Sequence, residues 1–185
     1  MSEKLTRSQI SEAFLELNSH LEAAGAMGEI NLFGGTAMML VFDARDSTRD
    51  VDAVFVPKKV IQEAIIKTAL KLNLPANWIN DGVKVFLSES AIMGLLPFPE
   101  FSHLRLLAPS PEYLLAMKCM AARVSDYETG GDRHDVLFLL KHLGIRDGAE
   151  VLKIVEHYYG SQPIHVKTRY FIEEVMEDLK KGDSP

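Results

Sequence analysis

Two aspartates one residue apart, Asp50 and Asp52 in the run Thr48-Arg49-Asp50-Val51-Asp52-Ala53-Val54-Phe55, are the residues of this chain best placed to do chemistry. Flanked by apolar side chains they read as a strand, on which positions i and i+2 share a face. Two carboxylates that close repel each other, and a cation beside them relieves the repulsion. An all-oxygen ligand set suits Mg²⁺ better than zinc, so Asp50 and Asp52 are the candidate metal ligands. About one helix-length upstream, Gly34-Gly35-Thr36-Ala37 joins the apolar Ile30-Asn31-Leu32-Phe33 to the helix-like Thr36-Ala37-Met38-Met39-Leu40-Val41. A tight turn there brings backbone N–H groups to a phosphate at a helix N-terminus. Gly34, Gly35 and Thr36 are therefore candidate phosphate-binding residues, and Thr36 can cap its helix with the same geometry. A phosphate cradle close to a divalent-metal site implies a nucleoside triphosphate as the ligand.

Each piece also has a plainer reading. A glycine pair before a helix is often only a turn, and an Asp-x-Asp strand can be a solvated edge. Their order and spacing together favour chemistry. Further along, Lys118 lies in the apolar helical stretch from Tyr113 to Ala122, where a charge must reach either solvent or an anion. Asp132 and Asp135 stand i, i+3 at a helix start, on one face and near its positive end; Asp132 reads as a helix cap. Arg49 alternates with the acids and should point the other way, into a structural ion pair. The six histidines show no zinc-ligand spacing with cysteine. His134 lies between the two later aspartates, placed equally for a site or for solvent.

Gly-Gly-Thr, a short helix and then Thr-x-Asp-x-Asp resemble the nucleotidyltransferases of the DNA polymerase β superfamily, and within it the AbiEii-type proteins of type IV toxin–antitoxin systems. Leu114-Leu115-Ala116-Met117-Lys118 and Asp132-Arg133-His134-Asp135 are similar to that family's later Lys and Asp motifs, so the resemblance spans residues 30 to 140. It implies that Asp50 and Asp52 hold Mg²⁺ and that Gly34, Gly35 and Thr36 bind the nucleotide's phosphates. Lys118 would contact the triphosphate, and Asp135 would orient Lys118 or a substrate group. The implied activity moves a nucleoside monophosphate from an NTP to an RNA, protein or small-molecule hydroxyl, with an antitoxin as a further partner. Superfamily enzymes usually complete the site with a third carboxylate on a neighbouring strand. Here Asp81 and Glu89 only flank the next expected strand, which leaves a non-catalytic nucleotide- or partner-binding module as the alternative.

The elements that must position these residues follow from periodicity. Thr6 with Gln9 forms a capping box before Ile10, Phe14, Leu17 and Leu21, a helical stripe. Strands are expected at 30–33, 50–56, 83–87 and 104–108, and helices at 36–42, after Pro57 up to Pro75, and repeatedly from Ser110 onward. Pro97-Phe98-Pro99 marks a loop, and a last helix is expected at about 164–181. The expected fold is α/β (α+β): a small mixed sheet forming a polymerase-β-like core at 1–109, then a C-terminal helical bundle at 110–185 that closes over the nucleotide.

Composition sets outer limits. At 185 residues and 47% hydrophobic, the chain can bury a sizeable core. A net charge of −6 argues against a broad basic face for nucleic acid, though a local patch can still meet a small RNA. The single cysteine, Cys119, has no partner for an internal disulfide and reads as a buried thiol. The polar N-terminus, and the lack of any apolar run of the ~20 residues a membrane span needs, lead to the expectation of a cytoplasmic protein with no membrane partner.

Overall fold

A computed structural model of the chain describes residues 4–96, 101–122, 131–160 and 163–182; the loop expected at 97–99 lies outside them. Among the described residues there are seven α-helices, a five-stranded mixed sheet and a two-stranded antiparallel sheet. The chain forms two compact units, one of Met1–Val85 with Met93–Pro109 and the other of Phe86–Ile92 with Ser110–Pro185.

In the first unit, β1 (Leu5–Thr6) leads into α1 (Arg7–Ala23), whose start is fixed by the capping box between Thr6 and Gln9. The apolar stripe of α1, Ile10, Phe14, Leu17 and Leu21, is fully buried. Next come β2 (Gly28–Leu32), α2 (Gly34–Phe42), β3 (Ser47–Thr48), β4 (Val51–Val56) and α3 (Lys58–Leu72). The sheet is completed by β5 (Ile79–Asn80), β6 (Met93–Leu95) and β7 (Leu104–Pro109) in the order β5-β4-β2-β7-β6. β4 is antiparallel to β2 and parallel to β5, while β2 is parallel to β7 and β7 antiparallel to β6. Along β4 burial alternates: Val51, Ala53 and Phe55 join the core with α1, α3 and Trp78, and Asp52 and Val54 face the other way. β1 pairs with β3 and so anchors the approach to the acid-bearing strand at Leu5↔Thr48.

The strand expected at 83–87 is instead a 3₁₀ turn, Gly82–Phe86. Turn chemistry overrides the apolar alternation here. The Asn80 side-chain oxygen accepts from the Gly82 N–H at 2.9 Å, the Asp81 carbonyl accepts from the Lys84 N–H at 3.2 Å, and Val85 is left exposed. Four two- or three-residue strands (β1, β3, β5 and β6) were not among the expected elements.

The second unit holds α4 (Pro111–Ala121), α5 (Gly131–Leu143), α6 (Gly148–Tyr159) and α7 (Val166–Gly182). Ser110 caps α4 on the Tyr113 N–H with Pro111 at its first position, and Asp147 caps α6 on the Ala149 N–H. α4 is buried from Tyr113 to Cys119 and packs against α5, α6 and α7. Arg133 of α5 binds Asp178 and Glu174 of α7, its Nε donating to Asp178 Oδ2 at 2.6 Å. Phe86–Ile92 belongs to this unit through hydroxyl contacts: Ser88 N–H donates to the Tyr113 hydroxyl at 2.8 Å and Tyr159 Oη donates to the Phe86 carbonyl at 2.5 Å. Among the described residues no helix is long and apolar enough to cross a membrane.

Candidate functional site

In the first unit the backbone brings the glycine turn onto the acid strand. Phe33 N–H donates to the Asp52 carbonyl at 2.8 Å, tying the residue before α2 to the start of β4. The helix begins at Gly34, two residues before the expected Thr36. Phe33 is its N-cap, and the Phe33 side chain makes no capping hydrogen bond to the first turn of α2. Gly34 adopts φ +56°, a left-handed conformation that favours glycine. A Cβ at that position would stand 2.3 Å from Asp52 Oδ2, so the Asp52 carboxylate lies directly against the Gly34 backbone. Gly35 does not need a positive φ. A Cβ there would meet the Thr48 hydroxyl at 2.7 Å and Arg45 Nη1 at 3.4 Å, which puts a guanidinium beside the first turn of the helix.

Thr36 departs from its expected role. It is fully buried, does not cap the helix, and its hydroxyl donates to the Asp50 carbonyl at 3.3 Å. Thr48 donates to the same carbonyl at 3.1 Å. Two hydroxyls thus fix the backbone of Asp50, which lies one residue before β4 begins. Its carboxylate is held as well, since Asn80 Nδ2 donates to Asp50 Oδ2 at 2.9 Å. Asn80 is the β5 residue in register with Asp52 and therefore lies on the same face of the sheet. Burial pushes the Asp50 carboxyl above its ordinary value, and the neighbouring positive charge of exposed Arg49 partly opposes the rise. That outward Arg49 acts on Asp50 through its field. Asp81 points elsewhere: hydrogen bonds from Lys84 and Lys58 hold its carboxyl below the usual range.

The donor set fits one Mg²⁺. This ion is commonly held by one or two protein carboxylates, with waters and substrate phosphates completing its octahedron. Asp50 and Asp52 would supply the carboxylates, and Gly34, having no Cβ, lets the Asp52 carboxylate lie against the backbone at the start of α2. Among the described residues no three His, Cys, Asp or Glu side chains group to hold a metal.

Lys118, Asp132 and Asp135 converge in the second unit. Lys118 is 8% exposed, and its Nζ lies 2.8 Å from Asp132 Oδ1 and 2.6 Å from Asp135 Oδ2. Of the two destinations open to this lysine, the structure gives it anions supplied by the chain itself, and solvent plays little part. Asp135, 2% exposed, is the more deeply buried carboxylate of the pair. Asp132 is the second residue of α5, and its Oδ1 accepts from Lys118. His134 is exposed, and Cys119 is buried with its thiol pushed up to about 12 by desolvation, which removes it from nucleophilic chemistry near neutral pH.

Asn80 and Arg45 carry no motif in the sequence, and the hold of Thr48 on the Asp50 carbonyl is visible only in the fold. Thr48 was legible as part of the motif. Asn80 occupies a two-residue strand too short to show alternation, and Arg45 gave no periodic signal. No family model, curated protein or solved structure matches the chain.

Proposed function

We propose that the chain is a Mg²⁺-dependent nucleotidyltransferase with a polymerase-β-like core, which transfers a nucleoside monophosphate from an NTP to an acceptor hydroxyl. The observation that carries this reading is the contact of the left-handed Gly34 with the Asp52 carboxylate, since it joins a turn suited to phosphate to a carboxylate suited to a cation. Asp50 and Asp52 would hold the ion, and the first turn of α2, which its N-cap residue Phe33 does not cap, would donate N–H groups to phosphate oxygens. Mg²⁺ bound there would supply charge neutralisation of the triphosphate and a lowered pKa for the attacking hydroxyl. The acceptor oxygen would form its bond to the α-phosphorus as the bond to the β-phosphate oxygen breaks, pyrophosphate leaving and the hydroxyl proton passing to solvent. Lys118 and Asp135, paired with each other in the second unit, are not needed for this reading. RNA, a protein side chain or a small molecule can be the acceptor, and an antitoxin would be a partner that blocks the reaction.

One observation favours a second reading, a nucleotide-binding module without turnover. The neighbouring strand offers the acid pair the amide of Asn80, a neutral group that cannot share a cation's charge. The deciding experiment incubates the protein with Mg²⁺, each α-labelled NTP and total RNA or lysate, and follows both label transfer and pyrophosphate release. Transfer that disappears in Asp50→Asn and Asp52→Asn supports the enzyme. NTP binding with Mg²⁺ but no pyrophosphate supports the module, and neither binding nor transfer sinks both.

A further inference from the structure

Asn80 has one hydrogen bond on each side of its amide. Nδ2 donates to Asp50 Oδ2 at 2.9 Å, and Oδ1 accepts from the Gly82 N–H at 2.9 Å. These two bonds fix the orientation of the amide. Flipped, it would set its oxygen against a carboxylate and its NH₂ against an N–H, two repulsive contacts in place of two attractive ones. The backbone holding the group is equally determined, since β5 runs parallel to β4 with Asn80 opposite Asp52, and the Val51 N–H donates to the Trp78 carbonyl at 2.7 Å just before it. Asn80 therefore presents hydrogens to the acid pair, and those hydrogens point at the Asp50 oxygen on the β5 side.

We propose that Asn80 is the positioning residue of this acid pair and that it restricts the site to a single divalent cation. The inference rests on the metal-binding reading of Asp50 and Asp52. The positive end of the amide dipole lies against Asp50 Oδ2, so a second cation sharing that oxygen would have to compete with the amide for it. Asn80 is neutral, so the neighbouring strand adds no negative charge to that of Asp50 and Asp52. Two divalent ions in one site stand about 3.5–4 Å apart, where their mutual repulsion needs more negative charge than this pair supplies. The same hydrogen bond stops the Asp50 carboxylate from rotating, so the ion finds its ligand already oriented.

The test is Mn²⁺ binding to the full chain, followed by calorimetry and by electron paramagnetic resonance of the free ion, with a non-hydrolysable NTP analogue present. Wild type should bind one ion per chain. Asn80→Ala removes the donor and should weaken binding about tenfold or more, within the 10–100-fold cost of losing an outer partner of a metal ligand. Asn80→Ser keeps a short donor and should recover part of that loss, a rescue that a merely structural defect would not give. Asn80→Asp should raise the count to two ions. Circular dichroism checks each variant's fold, and Ser and Asp at position 80 remain informative where Ala disturbs the turn. Two ions bound by wild type, or Asn80→Ala affinity equal to wild type, overturns the proposal and leaves the metal reading standing. Absence of Mn²⁺ binding by wild type overturns both.

Discussion

Replacing Asp50 by Asn should make the ligand-free protein more stable at neutral pH and unable to gain stability from Mg²⁺ with NTP. The substitution keeps the side chain's shape, leaves an oxygen for the Asn80 donor, and does not touch the backbone carbonyl that Thr36 and Thr48 hold. It removes a carboxylate whose charge is disfavoured by burial, only partly offset by Arg49. Because the folded pKa lies above the unfolded one, the native state binds more protons between the two values, and stability falls as pH rises through that window. Below the unfolded value, near 3.8, both states are protonated and the variant gains nothing from this source; above the folded value it gains the full amount. Asp50 is part-exposed, so screening keeps the gain below about 1 kcal/mol, or about 4 °C at most in melting temperature. Thermal melts in EDTA from pH 7.5 to pH 4 read the gain and its decline. With ligand at about ten times its Kd, wild type should rise by about 1.4 kcal/mol and overtake the variant. A variant less stable at neutral pH, or a gain that does not shrink toward acid, refutes the burial argument. An equal ligand shift in both proteins refutes the metal site.

Lys118→Met should cost about 3–5 kcal/mol in urea unfolding, because it leaves Asp135 buried without its counter-ion; unchanged stability would contradict the ion-pair geometry. Lys118→Met combined with Asp135→Asn should recover part of that loss, since it also removes the carboxylate left without a counter-ion. Gly34→Ala should lose the response to Mg²⁺ and NTP as well as about 1–2 kcal/mol of left-handed backbone strain, whereas Gly25→Ala, at φ +60° in open space, should show the strain alone; matching behaviour of the two would dissociate Gly34 from Asp52. Cys119 should resist a disulfide reagent at pH 8 until the protein unfolds, since a thiol pushed up to about 12 is almost wholly protonated there; rapid labelling of the native protein would rule out the burial described.

The elements legible in the sequence were those whose signal is local. α1 and α4 carry their own caps, and β2, β4 and β7 are apolar runs bounded by turn residues, so propensity and burial point the same way. The misread strand at 83–87 shows a local signal losing to another local signal, as the Asn80-Asp81-Gly82 turn captured the backbone groups that a strand would have needed. The site was only half legible for a different reason. The acid pair and the glycines are neighbours in sequence and could be read from their spacing. What Lys118 meets depends on α5 packing against α4, and Asn80 reaches Asp50 across 30 positions.

Gly34 and Gly35 show the limit most directly. As letters they are interchangeable, and the turn reading treated them as a pair. The structure separates their tasks. Only Gly34 has a left-handed backbone and lies against the Asp52 carboxylate, while Gly35 has an ordinary φ and is kept small by Thr48 and Arg45. Side chains at the two positions would therefore fail differently. One at Gly34 would push on a proposed metal ligand directly. One at Gly35 would displace the Thr48 hydroxyl from the Asp50 carbonyl, and so reach the same site through the backbone of the other aspartate. Both glycines constrain the acid pair, each through a different member, and that division of roles arises only once β4 has docked beside the start of α2.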